Sequence, residues 1–361
     1  MSLSPVELEI ELFCRGMRID PSCSEGEEHG RRIARTRAGL GSGLELVLPD
    51  GDVVTLGGPV EDRPGYDLVG LAVGSEGTFG IVTRATLRLT RAPEAYRTLL
   101  AVFESVDDAS EAVSGIIASG IVPAALEMMD RLILGAVEAA YRIGLPTDAG
   151  AVLLVELDGP AVGLDDQMAR VETVCRVQRA RELRLARDDA ERAALWKARK
   201  RAFGAVGRLA PSYCTQDGVV PRTRVPDILR AIAAAAERHR LRIGNVFHAG
   251  DGNLHPNILY DPRKPGEEAN VVAAGGEILK VCAEVGGSIT GEHGIGLEKI
   301  DYMHFIFSEA DLACMQRVKE AFNPTGLCNP GKMFPTNKAC VEVGPAYRQH
   351  PIEQQGLAQR F

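Results

Sequence analysis

The hydrophobic and polar positions change character twice along the 361 residues. The first 43 residues are weakly patterned and end in the cluster Gly39-Leu-Gly-Ser-Gly43. Leu44-Glu-Leu-Val-Leu and Val53-Val-Thr-Leu56 then alternate around Pro49-Asp-Gly-Asp52, which predicts a β-hairpin. Ile81-Val-Thr-Arg-Ala-Thr-Leu-Arg-Leu89 alternates and is rich in β-branched residues, so it reads as a strand, and Pro93 is a natural boundary.

Beyond that boundary, strand-like runs alternate with helical ones. The expected order is strand 98–104, helix 107–119, helix 124–140, strand 151–157, helix 163–179, helix 188–205, strand 214–220, helix 225–239, a hairpin at 242–260, helix 268–285 and a last helix at 309–322 before Pro324. Such an order predicts an α+β protein with helices packed on a sheet. The expected division is an unmatched segment 1–43, a subdomain 44–93, a larger domain 94–335 and a polar tail 336–361.

Composition narrows the function classes. The formal net charge is −8, which argues against a nucleic-acid partner. Glu7, Glu9 and Glu11 break up the early apolar residues, and no apolar run is long enough to cross a bilayer, so a cytoplasmic protein is expected. The eight cysteines are scattered without a C-x-x-C pair, which argues against an iron–sulfur cluster or zinc ribbon built by local spacing.

The chemistry concentrates in Gly244-Asn-Val-Phe-His-Ala-Gly-Asp-Gly-Asn-Leu-His-Pro-Asn-Ile-Leu-Tyr260. A hairpin turning between Asp251 and Gly252 sets His248 directly across from His255, with Val246 and Asn257 the next opposed pair on the same face. Two opposed imidazoles can share a divalent cation such as zinc, and Gly291-Glu-His-Gly-Ile-Gly296 offers Glu292 as a third ligand and His293 as a base. Pattern alone leaves ordinary hydrogen-bonded histidines as an open alternative. Arg199 shares a partly apolar helix face with Leu195 and Phe203, where it either snorkels or binds a carboxylate. Lys197, Lys200 and Arg201 are expected on the solvated side. The turn Gly74-Ser-Glu-Gly-Thr78 offers backbone N–H groups to a polar ligand, but it is not a G-x-G-x-x-G motif.

Five motifs occur in one order: Gly65-Tyr-Asp-Leu, Val73-Gly-Ser-Glu-Gly-Thr-Phe-Gly-Ile-Val-Thr83, His248-Ala-Gly-Asp-Gly-Asn-Leu-His-Pro-Asn257, Gly291-Glu-His-Gly-Ile-Gly296 and Asn323-Pro-Thr-Gly-Leu-Cys-Asn-Pro-Gly-Lys-Met-Phe-Pro335. Over about Gly43 to Pro335 the chain resembles the FAD-linked oxidases of the vanillyl-alcohol oxidase superfamily, near the branch of bacterial glycolate oxidase catalytic subunits and of D-lactate and D-2-hydroxyglutarate dehydrogenases. The resemblance implies a PCMH-type FAD-binding domain, present here in part, followed by an antiparallel-sheet cap domain, with about 300–335 returning to the flavin. It implies that Gly74, Ser75, Glu76, Gly77, Gly80 and Ile81 line FAD, with Asn329 near its ring system. His248, His255 and Glu292 would hold a divalent metal, zinc foremost, while Arg199 clamps the substrate carboxylate, Asn257 contacts substrate and His293 acts as base.

The implied reaction is oxidation of a small D-2-hydroxy acid. The implied electron acceptor is a quinone, an electron-transfer flavoprotein or an iron–sulfur subunit, which would place the protein at the inner membrane through a partner. Two departures from the family pattern bear on this. The hydroxyglutarate branch has a lysine six residues before the proline that corresponds to Pro221; Thr215 stands there, which favours glycolate or lactate over a longer diacid. The glycine-rich pyrophosphate subdomain expected before Gly43 has no counterpart in residues 1–43. An alternative expectation is therefore a non-catalytic remnant, or a subunit completed by a second, flavin-binding chain; a homo-oligomer is a separate expectation for its partners. A third is a flavin-independent metal enzyme.

Overall fold

The computed structural model describes residues 41–58, 65–87 and 92–334. They form two compact units, one of residues 92–294 and one that combines 41–58 and 65–87 with 295–334.

The smaller unit is built on a three-stranded antiparallel sheet. β1 (Gly41–Val47) lies between β2 (Val53–Gly57) and β3 (Ile81–Leu87). The hairpin pairs Leu44 with Leu56 and Val47 with Val53, as alternation around the Pro-Asp-Gly-Asp turn requires. Leu44, Leu46, Leu56 and Ala85 bury one face together with Ala72 of the short helix Leu68–Ala72, whose N-cap Asp67 accepts from the Gly70 N–H at 2.7 Å. The later segment adds the helix Glu309–Phe322, opened by a Ser308–Asp311 capping box. Phe322 at its end stacks on Phe79 with ring centroids 4.6 Å apart.

The larger unit is a nine-stranded sheet. Its strands are β4 (Ala95–Phe103), β5 (Ala125–Asp130), β6 (Ala151–Gly159), β7 (Glu182–Leu185), β8 (Ser212–Thr215), β9 (Gly218–Val219), β10 (Arg242–His248), β11 (Asn253–Leu254) and β12 (Pro256–Tyr260). The order is β7-β4-β6-β5-β10-β11-β9, with β12 pairing β10 and β8. Helices cover both faces. Leu99, Ala101 and Phe103 of β4 pack under one helix layer, and Leu100 and Val102 under the other. A strand buried on both sides needs no polar face, which is why β4 and β6 read as near-continuous apolar runs.

Several expected elements are corrected. The predicted helix 124–140 is strand β5 followed by the helix Arg131–Tyr141. Ala124-Ala-Leu-Glu-Met-Met129 has high helix propensity, but pairing with β6 and β10 overrides it, and Asp130 caps the helix that follows through the Ile133 N–H at 3.0 Å. The predicted strand 214–220 is interrupted at Gln216-Asp217 between β8 and β9. The predicted helix 188–205 divides at Arg201 into Asp189–Lys200 and Ala202–Val206. Strand β7 and the short helix Leu68–Ala72 were not expected.

The hairpin register also differs. Gly244 faces Asn257 and His248 faces Asn253, not the expected Val246–Asn257 and His248–His255 pairs. The tip takes a helical turn at Ala249–Asp251 and closes at Gly252 in the left-handed region, φ 72°. The slip is two residues, and because side chains alternate with period two, it leaves both histidines on the face that was expected.

Candidate active site

The candidate centre is assembled from four segments of the larger unit. β10 ends in His248, the link between β11 and β12 holds His255, the loop after Ser288 carries Glu292 and His293, and the helix Asp189–Lys200 presents Arg199. His248 and His255 lie with ring centroids 5.4 Å apart, nearly perpendicular at 85°. Glu292 Oε1 is 3.0 Å from His255 Nε2 and 3.5 Å from His248 Nε2. One ligand atom of each residue therefore lies within 4.8 Å of the others, a spacing that can hold one cation. His293 is exposed and stacks on His255 at 4.9 Å and 8°.

Two buried carboxylates complete this centre, and the sequence reading named neither. Glu127 of β5 is paired with His248 across the sheet; its Oε1 is 2.7 Å from His248 Nδ1. Its other oxygen accepts from Arg199 Nε at 2.8 Å. Burial opposes the Glu127 charge, yet Arg199 and His248 together hold its pKa down at about 2. Burial likewise works against protonating His248, but Glu127 outweighs it and raises the pKa. His255 has no such counterweight: burial lowers its pKa despite the Glu292 contact. The low proton affinity of His255 suits cation binding, which needs unprotonated imidazole nitrogen.

The second carboxylate, Asp217, is wholly buried behind His255. It accepts from the backbone N–H groups of Gly291, Glu292 and His293 and from Thr290 Oγ1.

Arg199 is 4 % exposed, and its Nη2 is buried without a hydrogen-bond partner among the described residues. The snorkelling alternative is thereby excluded: the guanidinium points inward, with Nε spent on Glu127 and Nη2 unspent. Lys197, Lys200 and Arg201 are exposed, as expected. The helix is locked in place one and two turns earlier, where Glu156 of β6 accepts from Trp196 Nε1 at 2.6 Å and from Arg192 Nε and Nη2 at 2.7 Å.

Asn257 is fully buried and its amide is spent inside the sheet. Nδ2 donates to the carbonyls of Gly244 and His255, and Oδ1 accepts from Thr215 at 2.8 Å. The structure thus places Asn257 as a brace beneath His255.

In the smaller unit, Gly74 and Gly77 have φ of 85° and 71°, conformations that favour glycine, and Glu76 joins them at 52°. The Glu76 carboxylate accepts from the N–H groups of Ile295 and Gly296 at 2.6 and 2.8 Å, and its carbonyl accepts from Asn329 Nδ2. Ser75 is buried, Ile81 is exposed, and a Cβ at Gly80 would meet the Val47 carbonyl oxygen at 2.5 Å. Glu76 therefore ties its turn to Ile295 and Gly296 through its carboxylate and to Asn329 through its carbonyl.

Residues 92–333 match the family described as FAD linked oxidases, C-terminal domain, and the chain belongs to that family. Among curated proteins it is 47% identical over 307 residues to the glycolate oxidase subunit GlcD of Escherichia coli (strain K12), covering 85% of this chain and 62% of that protein. It is 30% identical over 295 residues to the mitochondrial D-lactate dehydrogenase [cytochrome] of Arabidopsis thaliana, covering 81% of this chain and 52% of that protein. The chain thus spans about three fifths or less of these relatives. Its fold is that of p-cresol methylhydroxylase solved with substrate bound, at TM-score 0.63 and 16% identity, covering 81% of this chain and 64% of that one.

Proposed function

We propose that this chain carries the substrate site and part of the flavin site of an FAD-dependent oxidoreductase that converts a small D-2-hydroxy acid, glycolate or D-lactate, to the 2-oxo acid. The observation that carries this reading is the link made by Glu127. One carboxylate holds Arg199, whose Nη2 is unspent, and His248, which belongs to the imidazole–carboxylate cluster. A small acid with a hydroxyl beside its carboxylate matches those two features. The names of the E. coli and A. thaliana relatives support the same substrate class.

Arg199 would bind the substrate carboxylate and fix the acid in one pose. His293, exposed beside the cluster, would accept the proton of the substrate hydroxyl. His248, His255 and Glu292 would hold a divalent cation; two imidazoles and one carboxylate are the donors of a catalytic zinc site with an open position. A bound cation supplies Lewis acidity that lowers the hydroxyl pKa, and bound flavin is the hydride acceptor. Asn257 would act through His255, because its amide is already committed.

Gly74, Ser75, Gly77, Gly80, Ile81 and Asn329 would line FAD. Glu76 would shape that turn from behind, since its carboxylate is spent on Ile295 and Gly296. Residues 44–93 with about 300–335 would then be the flavin portion, and the rest of 94–335 the cap. Thr215, hydrogen-bonded to Asn257, offers no cation for a second carboxylate, which supports a short monoacid. The electron acceptor would be a quinone, an electron-transfer flavoprotein or an iron–sulfur subunit; the name of the E. coli relative, a subunit, supports a partner. The site of action would be the cytoplasm, at the inner membrane through that partner; no described helix is long and apolar enough to cross a membrane.

The test is anaerobic addition of glycolate or D-lactate to the FAD-loaded protein. Bleaching of the visible flavin absorbance is expected. A flavin that stays oxidised with both acids overturns the reading.

A further inference from the structure

Two groups of side chains could each hold a cation: His248, His255 and Glu292, or Asp217, His255 and His293. They share His255, one through Nε2 and the other through Nδ1. We infer that Asp217 is not a ligand but the positioning residue of the centre, setting the directions of Glu292, His293 and His255 at once.

The argument rests on where its oxygens are spent. Asp217 Oδ2 accepts from Thr290 Oγ1 at 2.7 Å, from Gly291 N at 2.9 Å, from Glu292 N at 3.1 Å and from His293 N at 2.8 Å. Oδ1 lies 3.3 Å from the Glu292 N–H and 3.8 Å from His255 Nδ1. An oxygen ringed by three consecutive N–H groups and a hydroxyl is a saturated acceptor in a concave nest of backbone. With Oδ2 committed to the turn and Oδ1 sharing the Glu292 N–H, Asp217 is a poor cation ligand.

The same contacts fix the turn. Three successive N–H groups converge on one oxygen only if residues 291–293 curl around it. Thr290 Oγ1 extends the curl by accepting from Gly294 N at 2.9 Å. The close packing needs Gly291, where a Cβ would come 2.4 Å from Asn253 Oδ1. Glu292 and His293 are neighbours in sequence, and this curl turns one toward His255 Nε2 and the other onto the His255 ring.

Behind the ring, Asp217 Oδ1 is 3.8 Å from Nδ1, the buried His255 nitrogen that has no hydrogen bond among the described residues. A carboxylate on that side favours the proton on Nδ1 and leaves Nε2 to a cation, as outer carboxylates do for metal-bound histidines. The centre then has two backing carboxylates, Glu127 behind His248 and Asp217 behind His255.

This inference rests on the metal reading proposed above, and the experiment separates the two. Metal-free wild-type protein, Asp217→Asn and Thr290→Ala are titrated with zinc alone against a competing chelator, and amide hydrogen exchange is followed at residues 291–293. For Asp217→Asn, a 10- to 100-fold loss of zinc affinity is expected, with faster exchange at those amides. Thr290→Ala, which removes one donor to Asp217 and the acceptor of Gly294 N, should fall between. Zinc affinity unchanged in both variants overturns the positioning role, whatever the amides do. Wild-type protein that binds no zinc, while the three amides exchange faster in Asp217→Asn, overturns the metal reading and sustains the anchoring of the turn.

Discussion

Glu127 and His248 face each other across the β5–β10 ladder, and the carboxylate that reaches His248 Nδ1 at 2.7 Å also reaches Arg199 Nε at 2.8 Å. One strand residue thereby sets both the candidate ligand and the candidate substrate clamp.

Removing that carboxylate should be costly. Glu127→Ala leaves Arg199 and His248 buried without their acceptor, which should lower unfolding free energy by about 3–5 kcal/mol. Glu127→Gln keeps one acceptor oxygen and should lose about 1–3 kcal/mol. Because the Glu127 pKa is held at about 2, below the usual glutamate range, its charge favours the native state above that range. That contribution is lost as pH falls from the usual range toward 2. Denaturant midpoints between pH 7 and pH 3 should therefore converge for wild type and Glu127→Gln at the acid end. Parallel curves would refute the ion-pair account.

Arg199→Lys tests the clamp. Lysine keeps the charge but loses the planar fork that reaches both Glu127 and an incoming carboxylate. The expected result is a 10- to 100-fold rise in KM for the hydroxy acid, with a smaller fall in kcat, because the contact is made in the ground state as well as the transition state. A kcat loss with unchanged KM would move Arg199 out of carboxylate binding.

Asp130 should be the protein's unusual titrating acid. Burial raises its pKa to about 6, although it caps a helix and accepts from Asn245 N and Nδ2. The native state therefore holds a proton that the unfolded chain releases, so this group's contribution is greatest below about pH 4 and declines as pH rises through 6. The full shift corresponds to roughly 3 kcal/mol. Carbon NMR of the Asp130 carboxyl should show a midpoint near 6, and a midpoint near 4 would contradict the burial argument.

How much of this was legible in the chain follows the range of the interactions. The hairpins show because alternation and turn residues are local, and the His248–His255 face survived a register slip because the slip was even. Glu292 and His293 sit in a motif that names itself. Glu127 was hidden because its segment is made of good helix formers, and only pairing with β6 and β10 makes it a strand. Asp217 was hidden because its partners lie 73 to 76 residues away. Asn257 was visible as a candidate, but its commitment to Thr215, Gly244 and His255 was not.

The reaction proposed above passes a hydride from the carbinol carbon of a small D-2-hydroxy acid to bound flavin. The most direct measurement is stopped-flow bleaching of the FAD-loaded protein with D-lactate carrying hydrogen or deuterium at C2, with L-lactate as control. The account predicts bleaching that is slowed by deuterium and absent with L-lactate. Equal rates for the two D-isotopologues, or equal bleaching by L-lactate, would contradict it.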